Sequence, residues 1–75
     1  MIYKISGAKE SGDMNPRREW DLIVTARKLK TAKELAIKLT SQWYEIEIIG
    51  KKNKDSDIEY HSYWRMGKLE IDMGL

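Results

Sequence analysis

The segment that most constrains the fold of this chain is the amphipathic stretch from Thr31 to Trp43, which predicts a helix. Its apolar residues are separated by three, one, three and four positions, so they share one side of a helix with 3.6 residues per turn. These residues are Ala32, Leu35, Ala36, Leu39 and Trp43. Thr31 and Glu34 have the spacing of a capping box, which predicts that the helix begins at Thr31. No Gly or Asn marks the other end, so Trp43 belongs either to the last helical turn or to the next strand.

Five stretches with short apolar patterns predict β-strands before and after this helix. The predicted strands cover residues 2–6, 19–27, 44–49, 58–65 and 68–73. The last of them alternates strictly, with Leu69, Ile71 and Met73 on one face, as expected for a strand that is covered on one side only. Met66–Gly67 joins it to the preceding strand, because Gly adopts the positive φ that a two-residue hairpin turn requires. The polar segment 7–18 predicts a long loop.

The order of the predicted elements is β-β-α-β-β-β, which indicates an α+β fold. We expect a single helix packed on a mostly antiparallel five-stranded sheet, with the last three strands forming a meander. A chain of 75 residues makes one small domain, spanning residues 1–75. The predicted core consists of apolar residues that face the helix or belong to it: Trp20, Leu22, Val24, Leu35, Ala36, Leu39, Ile46, Ile48, Ile58, Tyr60, Leu69 and Ile71.

The composition limits the classes of protein to which this chain can belong. It contains no cysteine, which excludes disulfides and thiolate metal sites and suits a reducing compartment. The first residues lack the apolar core of a signal peptide, and no apolar run reaches the roughly 20 residues of a membrane span. We therefore expect a complete, small cytoplasmic protein that makes no membrane contact.

No arrangement of residues in the sequence indicates catalysis or a bound cofactor. His61 is the only histidine, and the adjacent Ser62 points to the opposite face of the predicted strand, so the two cannot form a nucleophile–base pair. The segment Asn53–Asp57 has the initial spacing of a calcium loop, but Ile58 stands where such a loop needs Gly. We expect a non-enzymatic protein without a metal or cofactor.

Carboxylates dominate the outward-facing positions of the predicted strands, with His61 and Tyr63 among them. Like charges on neighbouring strands cost stability, which suggests that this surface serves a basic protein partner. The candidate protein-binding residues are Glu45, Glu47, Glu59, His61, Tyr63, Glu70 and Asp72. An exposed strand edge is a further docking site, either for a partner or for self-association with another copy of the chain.

Basic residues gather in the loops and at the predicted start of the helix. Residues 1–40 hold nine basic and five acidic residues, whereas residues 41–75 hold five and seven. Clusters of this kind bind the phosphates of nucleic acids, so nucleic-acid binding is the alternative function. The candidate residues for this role are Arg17, Arg18, Lys28, Lys30, Lys51, Lys52 and Lys54.

The predicted strand, T-x-x-E-capped helix and strand within residues 20–50 resemble the layout of many small proteins of phages and mobile elements. The resemblance implies an accessory protein that binds nucleic acid or a host protein, such as a host nucleic-acid-binding protein. Together with the acidic face, it favours a small protein-binding module. Nucleic-acid binding and a structural role as a subunit of a larger assembly are the two alternatives.

Overall fold

The fold contains one helix and five strands in the order that the sequence predicts. The structure is a computed structural model that describes residues 1–74. Its elements are β1 (Ile2–Ala8), β2 (Asp21–Ala26), α1 (Leu29–Leu39), β3 (Glu45–Lys51), β4 (Tyr60–Arg65) and β5 (Lys68–Gly74). The predicted α+β class and the order β-β-α-β-β-β are therefore confirmed. Among the described residues, no helix has the length and apolar character needed to cross a membrane.

All five strands form one antiparallel sheet in the order β2-β1-β3-β4-β5. β1 lies between β2 and β3, and both neighbours run antiparallel to it. β2 and β3 are therefore parallel to each other, and the connection between them through α1 passes over β1. β3, β4 and β5 form the predicted meander. β2 and β5 are the two edges of the sheet.

The core lies between α1 and the sheet face formed by β1, β2 and β3. Ile5 stands at its centre, because this residue of β1 pairs with Val24 of β2 on one side and with Ile48 of β3 on the other. Ala32 and Ala36 are the fully buried residues of α1, and their small side chains let the helix approach the sheet closely.

The other side of the sheet carries no helix, and we call it the helix-free face. Side chains alternate along each strand, so the strand registers place every second residue on this face in rows that cross the sheet. One row contains Thr25, Lys4, Ile49, His61 and Met73. The next row contains Leu22, Ser6, Glu47, Tyr63 and Ile71.

Helix α1 begins before the residue that the capping pattern predicts. Its N-cap is Lys28, whose carbonyl accepts a helical hydrogen bond from the amide of Ala32 at 3.0 Å, and no side chain caps the helix. The capping box predicted at Thr31 is wrong. Leu29 packs against the core, so the helix already begins at Leu29 and Thr31 lies inside its first turn.

Trp43 lies in the connection between α1 and β3, so neither of its two predicted locations is right. Its amide donates to the carbonyl of Leu39 at 3.1 Å, and its indole packs against the core. Gly7 makes room for this ring, since a Cβ at that position would lie 2.5 Å from it. Nζ of Lys9 stands 4.2 Å from the centroid of the ring.

Strand β2 presents different residues to the core from those that simple alternation predicts. The pairing of β1 with β2 contains a β-bulge, so Ile23 and Val24 both pack against the core. Leu22 points to the helix-free face and is 60% exposed. Trp20 precedes β2, and its ring centroid lies 6.5 Å from that of Tyr63 on the helix-free face. The core positions predicted for Trp20 and Leu22 are therefore wrong.

A second bulge, in the pairing of β4 with β5, changes the faces of β5. Asp72 faces the helix side, whereas Ile71 and Met73 lie on the helix-free face. The predicted faces of these three residues are wrong, because one extra residue in a strand shifts every later side chain to the opposite side. Leu69 keeps its predicted face but is 44% exposed, and Ile58 precedes β4 and is 43% exposed, so neither belongs to the buried core.

The central position of Ile5 leads to a stability prediction. Ile5→Val removes one fully buried methylene group and should lower the free energy of unfolding by about 0.5–1.5 kcal/mol. Ile37→Val is the matched control, because Ile37 is 60% exposed on α1 and its truncation should cost less than about 0.5 kcal/mol. Urea unfolding followed by tryptophan fluorescence measures both values. Equal losses in the two variants would contradict this placement of the core.

Candidate binding surfaces

One end of the helix-free face is closed by the long loop between β1 and β2. The side chain of Glu45, the first residue of β3, is fully buried there. It accepts hydrogen bonds from Nε of Arg18 and from the hydroxyl of Tyr63. The loop amide of Gly12 lies 3.5 Å from the same carboxylate, and Nε of Arg65 lies 3.6 Å from it. Two guanidinium groups and two further donors thus compensate the buried negative charge.

Aromatic rings extend this network across the sheet. The guanidinium of Arg18 stands 4.9 Å from the centroid of the Trp20 ring, and Trp20 packs on Tyr63. Burial and the hydrogen bond to Glu45 raise the pKa of Tyr63, so its hydroxyl stays protonated and acts as a donor at neutral pH. The loop is therefore attached to the sheet by charge-assisted hydrogen bonds and ring contacts together.

The seven residues predicted to form an acidic docking surface do not lie together. Glu45 is buried beneath the loop, and Tyr63 is occupied as its hydrogen-bond donor. Asp72 lies on the helix side of the sheet, whereas Glu70 is exposed on the edge strand β5. No local pattern in the sequence reveals the burial of Glu45, because its counter-charge Arg18 lies 27 residues earlier in the chain.

The other carboxylates of that predicted surface are paired with basic groups. Oε2 of Glu47 lies 2.9 Å from Nε2 of His61, its neighbour on the helix-free face. Oε1 of Glu59 lies 3.9 Å from Nζ of Lys52 in the loop after β3. Both carboxylates are therefore already engaged by side chains of the same chain.

A polar contact ties the edge strand β5 to the helix. Asp72 accepts a hydrogen bond from the hydroxyl of Tyr60 and another from Nζ of Lys33 at 3.1 Å. The bond from Tyr60 and the nearby ammonium of Lys33 lower the pKa of Asp72. Because this pKa is lowered by folding, the contribution to stability is present above the ordinary pKa of an aspartate. It is lost as the pH falls through the lowered value.

Five of the seven basic residues predicted to contact nucleic acid lie at one end of the sheet: Lys28, Lys30, Lys51, Lys52 and Lys54. They lie at or just beyond the carboxyl ends of β2 and β3, and these ends meet because the two strands are parallel. Arg17 and Arg18 lie at the opposite end, before β2, and Arg18 is already bound to Glu45.

Apolar side chains stand exposed along the edge strand β5. Leu69 is 44% exposed on the helix side, and Ile71 and Met73 are 38% and 49% exposed on the helix-free face. Apolar side chains on both faces of β5 are therefore accessible to a partner. The sequence predicts Leu69 and Ile71 in the core and Met73 on the same face as both, because the bulge and the limited reach of the helix cannot be read from alternation.

The described residues offer little for metal chemistry. Within residues 1–74, no three His, Asp or Glu side chains lie close enough to hold a metal ion together. Ser62 is fully buried on the helix side of β4, whereas His61 lies on the helix-free face, as the sequence predicts.

Comparison with known proteins found no matching family, no matching curated protein and no matching solved structure. The functional interpretation accordingly depends on the geometry of the chain itself.

The buried carboxylate of Glu45 leads to a second prediction. Glu45→Gln should lower the free energy of unfolding by about 2–4 kcal/mol, because it leaves Arg18 without its counter-charge and leaves Arg65 with only the exposed Asp13, 3.1 Å away. Breaking a fully buried ion pair costs roughly 3–5 kcal/mol. We expect a somewhat smaller loss here because Arg18 and Arg65 both reach solvent. Urea unfolding measures the loss. The rate of trypsin cleavage at Arg17 should rise with it as the loop detaches.

The control for this experiment is Glu10→Gln in the same loop. Glu10 is exposed and bonds only to Asn15 within the described residues, so its charge contributes little to stability. Equal stability of the Glu45→Gln variant and the parent protein would contradict the role assigned to the Glu45 network.

Proposed function

We propose that this chain is a non-enzymatic protein-binding module that pairs an extended segment of a partner protein with its edge strand β5. The observation that carries the proposal is the exposure of apolar side chains along a strand whose outer edge is open. Helix α1 packs on β1, β2 and β3 and leaves β5 beyond its reach, apart from the contact between Lys33 and Asp72.

The backbone of β5 supplies the first part of such a site. β5 pairs only with β4, so the outer side of Lys68–Gly74 has no partner strand within residues 1–74. Unpaired amide and carbonyl groups along an edge form the hydrogen bonds by which an added strand continues a sheet. These bonds give affinity with little dependence on the sequence of the added segment.

The side chains of β5 supply selectivity. An added strand would place residues beside Leu69 on one face and beside Ile71 and Met73 on the other. Each Å² of apolar surface buried in this way would stabilise the complex by about 25 cal/mol. Natural edge strands carry lysines and bulges that prevent unwanted pairing with other strands. In β5 both devices lie toward its beginning, at Lys68 and at the bulge that follows, so the segment Ile71–Gly74 is left open.

The opposite edge of the sheet is less suited to this role. Helix α1 packs against β2 and covers one of its faces. Leu22 is the large apolar side chain that β2 exposes, and the other exposed residues of β2, Asp21 and Thr25, are polar. A strand added there would find apolar contacts at one position only, which favours β5 as the docking edge.

Selection of random displayed peptides on the purified protein tests this proposal. We expect enriched peptides to alternate apolar and polar residues, and Ile71→Asp to weaken their binding at least about tenfold, because the charge would be buried against the added strand. Ile37→Asp is the matched control, since Ile37 is exposed on α1 away from β5. Fluorescence anisotropy gives the dissociation constants, and amide hydrogen exchange identifies the protected strand.

The outcomes of this experiment separate the alternatives. Protection of amides outside β5 and β4, or equal weakening by the two variants, would contradict pairing at this edge. Dimers that form with rising concentration and are abolished by Ile71→Asp, as detected by light scattering, would assign β5 to self-association and favour a structural subunit.

Nucleic-acid binding is a second candidate function, and the convergence of five lysines at one end of the sheet favours it. These residues come from the start of α1, the end of β3 and the loop that follows β3. Ammonium groups that gather at one end can follow a phosphate backbone without contacting bases. The two arginines at the far end do not contribute to this cluster.

A salt series tests the second candidate. If the basic end binds single-stranded DNA, replacing Lys51, Lys52 and Lys54 by Gln should reduce the slope of log K against log salt concentration by about 2. The matched control replaces Arg17, Lys38 and Lys68 by Gln, which changes the net charge equally at the other end of the molecule. An unchanged slope in the first variant, or equal changes in both, would remove the cluster from the site.

A further inference from the structure

A shallow groove with its own chemistry lies on the helix-free face between β1 and β3. It has a volume of about 190 Å³. Its lining residues are Ile2, Lys4, Ile49, Lys51, Asn53 and Lys54. Ile2 pairs with Lys51 and Lys4 pairs with Ile49, so the two isoleucines stand diagonally across the groove with a lysine beside each. The groove is apolar at its centre and positively charged at its rim.

Every charged side chain that lines this groove is a lysine. None of these lysines lies within ion-pair distance of a carboxylate in the part of the chain that the structure describes. Glu47 of β3 and Glu59, which precedes β4, are engaged elsewhere. Glu47 pairs with His61 at 2.9 Å, and Glu59 lies 3.9 Å from Lys52. The groove therefore presents positive charge that the chain does not neutralise.

We propose that this groove binds a short acidic segment of a partner protein, with one apolar side chain of that segment seated between Ile2 and Ile49. Carboxylates on either side of the apolar residue would pair with the lysine rim. The volume lies below the roughly 300–1,000 Å³ of small-molecule sites, so it suits a single aliphatic side chain rather than a cofactor. The positive charge of the lysines favours a segment that carries carboxylates. Burial of Ile2 favours an apolar side chain between those carboxylates.

The floor of the groove distinguishes this ligand from a nucleic acid. Single-stranded nucleic acids are held by aromatic side chains on which bases stack, and no aromatic residue lines the groove. Tyr3 lies on the opposite side of the sheet, where its ring packs edge-on against Tyr60. A phosphate backbone would use the lysines but would leave Ile2 and Ile49 without contacts.

The groove is a separate site from the β5 edge, and the inference does not depend on strand pairing there. Strand β4 lies between them, and the Glu47–His61 pair stands on the surface that separates them. Ile71→Asp should therefore leave binding to the groove unchanged. Loss of one activity without the other would show which of the two proposals fails.

Three labelled peptides test the inference by fluorescence anisotropy and amide chemical-shift mapping. The first carries a leucine between two pairs of aspartates, the second has serine in place of the leucine, and the third has serines in place of the aspartates. We expect saturable binding of the first with a dissociation constant below about 1 mM, and binding at least about tenfold weaker for each of the others. The amides of Ile2, Lys4, Ile49 and Lys51 should shift on binding of the first peptide.

Two variants of the protein complete the experiment, each with a matched control. Lys4→Glu should weaken binding of the leucine–aspartate peptide at least about tenfold, whereas Lys38→Glu at the end of α1 should not. Ile2→Asn should weaken it by removing the apolar floor, whereas Ile37→Asn should not. Ile2 is 37% exposed and is the first residue of β1, so its substitution leaves the core intact.

Three results would overturn the inference. Equal affinity for the leucine and serine peptides would show that charge alone attracts them. Tighter binding of an oligothymidylate than of the leucine–aspartate peptide, unaffected by Ile2→Asn, would assign the lysines to nucleic acid. Absence of chemical-shift changes around the groove at millimolar peptide would show that it is not a site for this class of ligand.

Discussion

A single helix packs on this five-stranded sheet, and it is too narrow to cover all five strands. An α-helix with side chains is about 10–12 Å wide, whereas strands lie about 4.8 Å apart, so one helix covers about three strands. Here α1 covers β1, β2 and β3. Large rings bury the helix side of β4, where Tyr60 and Trp64 are only 7% and 5% exposed. Lys33 extends from the helix to Asp72 and so connects β5 to the covered part of the sheet.

On the helix-free face, the loop between β1 and β2 replaces part of the missing second layer. Its attachment depends on the buried carboxylate of Glu45, which collects donors from the loop, from β4 and from the residues before β2. Burying a charge of this kind gives less stability than an apolar contact of equal size, but it demands specific partners in specific directions. The network therefore determines where the loop lies, and the stacking of Arg18 on Trp20 fixes the entry to β2.

The parts of this fold that sequence reasoning predicts are those governed by regular periodicity. The alternation of Ile46 and Ile48 correctly places the centre of β3, and the helical repeat correctly places Ala32 and Ala36 on the buried side of α1. The errors in the faces of β2 and β5 follow from two bulges, each of which adds a residue to one strand and changes the faces of its neighbours. Residues 68–73, which contain the second bulge, include no glycine or proline that would indicate such a break. The pairing of Arg18 with Glu45 joins residues distant in sequence, so it depends on the sheet order, which local patterns do not contain.

The two regions of the uncovered surface that we propose as binding sites differ in their chemistry. Along β5, apolar side chains accompany an open backbone edge, which suits an extended segment with little demand on its charge. Between β1 and β3, apolar side chains are enclosed by lysines, which suits an anionic ligand of limited size. Glu47 and His61 stand between the two regions as a hydrogen-bonded pair. A partner that spanned both regions would have to desolvate this pair without offering it a better bond, at a cost of about 1–3 kcal/mol. Two separate ligands avoid that cost, so the polar pair favours independent use of the two regions.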